Sequence, residues 1–75
     1  MRVKKEVRDR FIERLISLTQ YVLSNYTVEG YKTLWDMCTD WNSTHDYRDE
    51  VMMCEVENDE GEVIGIGIED VVIYF

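Results

Sequence analysis

The pattern of this chain predicts an α+β fold: two N-terminal helices packed on a two- or three-stranded antiparallel sheet, in the order α-α-β-β-(β). Three observations carry that expectation. Residues 3–25 hold neither Gly nor Pro and repeat apolar positions at intervals of three and four. Thr27 then opens a second run with the same period. From residue 47 the period shortens to two, with Asn58-Asp59-Glu60-Gly61 as a turn between two alternating runs. At 75 residues the chain makes one domain, 1–75, whose single core leaves only a few kcal/mol of net stability.

In the first helix, Val3, Val7, Phe11, Leu15, Leu18 and Val22 line one stripe at about 100° per residue. Ile12, Ile16 and Leu23 form a second stripe, set off by Thr19 and Arg8. The combined arc exceeds half the helix circumference, more than one sheet requires, so this helix is expected to touch two bodies. If one of those bodies is another copy of the chain, Ile12, Ile16 and Leu23 are the self-association stripe and a homodimer follows.

Ser24-Asn25-Tyr26 interrupts the pattern, and Thr27 is a good N-cap for the second helix. Glu29 in its first turn suits the helix dipole. Val28, Tyr31, Leu34, Trp35 and Cys38 follow at helical spacing, with Tyr31 and Trp35 expected in the core. Gly30 costs this helix about 1 kcal/mol relative to Ala. The turn-forming run Asp40–Asp46 places the helix end near Asp40.

Residues 47–57 alternate as a strand, and both cysteines, Cys38 and Cys54, fall on positions that read as core. In 62–68, Ile64, Ile66 and Ile68 share one side while Gly65 and Gly67 leave the other bare. Paired strand glycines mark a bend or a close approach to the backbone. Residues 71–75 continue as strand only if a bulge or turn at Glu69-Asp70 shifts the phase, since strict alternation would bury Asp70.

Charge is segregated along the chain. Residues 1–14 sum to +3, and residues 15–75 sum to −11, giving the formal −8. The basic stretch is interleaved with Glu6 and Asp9 and reads as a solvated helix start. The acidic excess excludes direct binding to nucleic acid, whose phosphates would meet a field of the wrong sign. Glu13 and Arg14 interrupt the apolar stretch a signal peptide needs, and no run approaches the roughly 20 apolar residues of a membrane span. The expected location is therefore cytoplasmic, with both thiols reduced.

No metal or cofactor is expected. Cys38, His45 and Cys54 are separated by gaps of six and eight residues, not in the close pairs of a zinc site. With Gly61 as the sixth residue of a calcium loop, Val56 and Gly67 would have to ligate. No enzymatic constellation stands out either: His45 lacks a nucleophile at a recognisable spacing, and Gly65-Ile66-Gly67 has no helix after it to cradle a phosphate.

What remains is an acidic surface with aromatics beside it. Trp41 and Tyr47 flank a polar loop as candidate interface anchors. Asp49, Glu50, Glu55, Glu57, Asp59, Glu60 and Glu62 are the candidate contact acids. On a strand, outward acids repeat about every 7 Å, broadly the spacing of nucleic-acid phosphates. The expected function is a non-enzymatic protein-binding module that occupies a basic, nucleic-acid-binding site on a larger protein, as a phage-type inhibitor would. The rival expectation is a small self-associating accessory protein.

Overall fold

Helix formers carry α1 from Lys5 to Leu23, and α2 runs from Val28 to Thr44. A single 3-10 turn follows at Tyr47–Asp49, then strands β1 (Met53–Glu57), β2 (Val63–Ile68) and β3 (Val71–Tyr74). The computed structural model describes residues 2–75. Its sheet is antiparallel in the order β1-β2-β3, so the architecture is the expected α-α-β-β-β.

Two local devices set the angle between the helices. The Thr27 hydroxyl accepts the Gly30 amide at 2.9 Å, the cap expected of it. A Cβ on Gly30 would stand 2.8 Å from Val22 Cγ1, so a bare residue there lets α2 start against the end of α1. What reads as a propensity cost in the sequence is a packing requirement in the fold.

The second helix runs one turn past Asp40. Ser43 and Thr44 hydroxyls return to the Asp40 carbonyl at 3.0 and 2.9 Å, and Trp41 and Asn42 are held by tertiary contacts. Turn-forming residues thus stay helical because their side chains satisfy the last turn instead of breaking it. The segment after it also departs from expectation. Tyr47–Asp49 is a 3-10 turn rather than strand, because the Asp46 carboxylate accepts the Arg48 amide and caps it.

The core lies between the helices and one face of the sheet. It joins Leu15 of α1, Leu34, Cys38 and Trp41 of α2, Val51, and Met53, Ile66 and Ile68 of the strands. Each fully buried Leu or Ile contributes roughly 1.5–3 kcal/mol. Thr19, also buried, donates its hydroxyl to the Leu15 carbonyl at 2.7 Å. Helix α1 touches α2, β2 and β3, so its wide apolar arc does meet two bodies, both within the chain. Ile12, Ile16 and Leu23 pack against this core and are partly buried.

Strand register decides which side chains see solvent. Met53 pairs with Ile68 and Glu55 with Ile66, and Ile66 pairs with Ile73. Those residues point toward the helices, and Glu55 reaches the Tyr26 hydroxyl, which donates to it at 3.2 Å. Cys54 pairs with Gly67, Val56 with Gly65, and these two glycines pair with Val72 and Tyr74. That set faces away from the helices. Cys54 is consequently exposed rather than buried, because the phase that buries Val51 and Met53 turns it outward. The turn at Glu69-Asp70 forms with Glu69 at φ 55°, and Asp70 is exposed, which keeps its carboxylate out of the core.

Candidate interaction surface

Asp49 is the residue whose placement most changes the picture of the acidic half. It is 2% exposed. Its carboxylate accepts the Val3 amide at 3.1 Å and the Arg2 guanidinium at 3.2 Å. Its carbonyl accepts Trp41 Nε1 at 2.8 Å and Arg8 Nε at 3.4 Å. Burial alone would raise this carboxyl's pKa; the Val3 amide and the Arg2 charge outweigh it and hold the group below the usual carboxylate value.

The basic N-terminus is therefore not a free helix start. Arg2 is tied to Asp49, and Arg8 bonds the Glu50 carbonyl at 2.7 Å and forms an ion pair with Glu69. The remaining ion pairs are local: Lys5 with Asp9, Lys32 with Asp36, and Arg48 with Asp46. The last of these pairs holds the Asp46 carboxyl far below its ordinary value, chiefly through the Arg48 side chain and amide. Cations of the first half thus fasten the segment that leads into the sheet.

Trp41 is not an edge anchor. It is 9% exposed, stacked between Phe11 at 4.3 Å and His45 at 3.7 Å, with its ring N–H taken by Asp49. Helical spacing continues through residue 41, so the same face that buries Leu34 and Cys38 buries this ring. Conversely, Trp35 lies on the outer side of α2 and is 47% exposed, so it is not the core residue expected, and Tyr31 is only half-buried. Tyr47 is exposed, with Arg48 over its ring at 5.7 Å.

Asn42 closes the start of the sheet. Its side-chain amide donates to the Val51 carbonyl at 2.9 Å and accepts the Val51 amide at 2.8 Å, as a neighbouring strand would. The Cys38 thiol adds a bond to the same carbonyl, and burial raises that thiol's pKa.

Of the predicted contact acids, Asp49 is internal, whereas Glu50, Glu55, Glu57, Asp59, Glu60 and Glu62 are exposed. Glu57, Asp59, Glu60 and Glu62 gather at the β1–β2 hairpin. Its turn is built by Asn58, whose side chain accepts the Glu60 and Glu62 amides at 2.9 and 3.0 Å, and by Gly61 at φ 79°. None of these four hairpin acids takes part in an ion pair among the described residues. From Asp49 to Phe75 the chain has nine carboxylates and no lysine or arginine.

Sequence reasoning missed the apolar part of this surface. On the sheet face turned from the helices lie Cys54, Val56, Val72 and Tyr74. Tyr74 is 64% exposed. The signal was the contrast along β2, where Ile64, Ile66 and Ile68 supply the apolar side chains a core needs and Gly65 and Gly67 supply none. No group of three metal-ligating side chains comes together among the described residues, and no helix there is long and apolar enough to cross a membrane. Comparison with family models, curated proteins and solved structures finds no match to this chain.

Proposed function

We propose that this protein is a non-enzymatic protein-binding module whose acidic sheet half occupies a basic site on a larger protein. One observation carries this reading: four exposed hairpin carboxylates, Glu57, Asp59, Glu60 and Glu62, form no ion pair among the described residues, in a stretch, residues 49–75, that holds no lysine or arginine. An unneutralised field of one sign attracts the opposite sign and accelerates encounter. A site shaped for nucleic-acid phosphates is a natural basic target, and occupying it would block the partner by steric and electrostatic means, in the manner of a phage-type inhibitor. A reducing, cytoplasmic setting suits the two unpaired thiols, Cys38 and Cys54.

The test is affinity capture from a bacterial lysate with the full chain, beside a variant carrying Glu57→Gln, Glu60→Gln and Glu62→Gln. The expected result is a partner retained by the native chain and lost by the variant, with an association rate that falls as salt rises. The same rate at low and high salt would overturn the reading.

A further inference from the structure

The sheet face turned away from the helices offers an apolar centre inside an acidic frame. Its middle strand is bare at Gly65 and Gly67, and the neighbours lean in over the backbone. A Cβ on Gly65 would lie 3.2 Å from Tyr74 Cδ1, and one on Gly67 would lie 3.1 Å from Cys54 Sγ. The result is a low surface of Val56, Val72, Cys54 and an accessible Tyr74 ring. The hairpin acids bound it at one end and Asp70 at the other. An antiparallel sheet with one side solvated ordinarily carries polar residues there. This one carries Val, Cys, Tyr and Gly.

We propose that this face is a docking platform for an arginine-bearing surface of another protein, in which a guanidinium stacks on the Tyr74 ring and further cations meet Glu57, Glu62 and Asp70. The inference rests on the basic-partner reading above and names where that partner sits. Two features select the occupant. The frame is wholly acidic, so a second copy would bring like charges together around the contact. The centre offers an exposed tyrosine ring among aliphatic groups, which suits arginine over lysine: the planar, weakly hydrated guanidinium stacks on a ring and still pairs with a carboxylate. The chain already uses that contact once, where Arg48 lies over Tyr47.

The experiment is a titration of the ¹⁵N-labelled full chain with two synthetic octapeptides, alternating Arg-Val and alternating Lys-Val, at fixed ionic strength. Amide shifts are expected at Cys54, Val56, Gly65, Gly67, Val72 and Tyr74, with the Arg peptide binding about two- to fivefold more tightly. Tyr74→Leu should erase that preference while keeping the fold and the binding of the Lys peptide. Shifts confined to residues 57–62, with no effect of Tyr74→Leu, would overturn the platform and leave the acidic-module reading standing. The same face shifting on concentration of the protein alone would mean that a second copy covers it, which also overturns the proposal. No binding of either peptide would overturn it too, and the salt-dependent capture experiment would then judge the acidic-module reading separately.

Discussion

Trp41 separates a core reading from an interface reading of the aromatic cluster, and its replacement yields numbers that distinguish them. The ring lies between Phe11 and His45, and its N–H is bonded to the Asp49 carbonyl. Trp41→Ala removes the ring and leaves a cavity between Phe11 and His45, at about 3–5 kcal/mol for such a truncation. Trp41→Phe keeps most of the stack and loses chiefly the N–H bond, at about 0.5–1.5 kcal/mol plus a small packing loss. A chain of this length has roughly 4–11 kcal/mol of total stability. Trp41→Ala should therefore leave the protein marginal in buffer. Far-UV circular dichroism during urea unfolding is the assay, because it does not depend on the tryptophan removed. With a urea slope near ~1 kcal/mol per molar, Trp41→Phe should lower the midpoint by about 1 M. Tyr47→Ala, at an exposed ring, should stay within about 0.5 kcal/mol of the native chain. A Trp41→Ala midpoint as close to native as that of Tyr47→Ala would refute the burial argument.

Three further predictions follow from single contacts. Gly65→Ala should destabilise by about 1–3 kcal/mol, because its Cβ would meet the Ile73 carbonyl at 2.7 Å and backbone must move. Gly67→Ala meets only the Cys54 thiol, so its loss in thermal melts should be smaller and should vanish in a Cys54→Ala background; equal losses in both backgrounds would contradict this. Asn42→Ala leaves the Val51 amide without its partner, at about 1–3 kcal/mol, and hydrogen exchange at Val51 should quicken while Ile66 keeps its relative protection. The fourth concerns acid. The folded Asp49 carboxyl sits below its ordinary 3.8, so its contribution is present above that pH and is lost as pH falls through the lower folded value. The midpoint of the native chain should drop on acidification below about pH 4 with a steeper slope than that of Asp49→Asn; identical slopes would show that the Arg2 and Val3 contacts do not stabilise the ionised form.

The association of charge with position gains a physical meaning from these contacts. In the sequence, the basic start and the acidic remainder stand apart, and the interleaved Glu6 and Asp9 make the start look neutral and idle. In the fold, Arg2 pairs with the Asp49 carboxylate and Arg8 with that of Glu69, and Arg8 also donates to the Glu50 main-chain carbonyl. The hairpin carboxylates Glu57, Asp59, Glu60 and Glu62 form no ion pair among the described residues. The acidic surface is thus narrower than the sequence implied, and it lies around the uncovered sheet face rather than around Trp41.

The sequence by itself determined the order of the two helices and three strands, though not the 3-10 turn at Tyr47–Asp49, because helix period, strand alternation, the Thr27 cap and the Asn58–Gly61 turn are local properties written within a few residues of each other. It determined as well that the Glu69-Asp70 turn had to exist, since a carboxylate cannot be buried unpaired at low cost. Tertiary structure alone decided which alternating set faces the helices, where α2 stops, and which ring is buried. Those outcomes rest on contacts between residues distant in the chain: Asn42 with Val51, Trp41 with Phe11 and Asp49, Arg8 with Glu69. A period of two marks two faces without saying which is inside, so Cys54 and Met53 could be told apart only once α2 had docked on Val51.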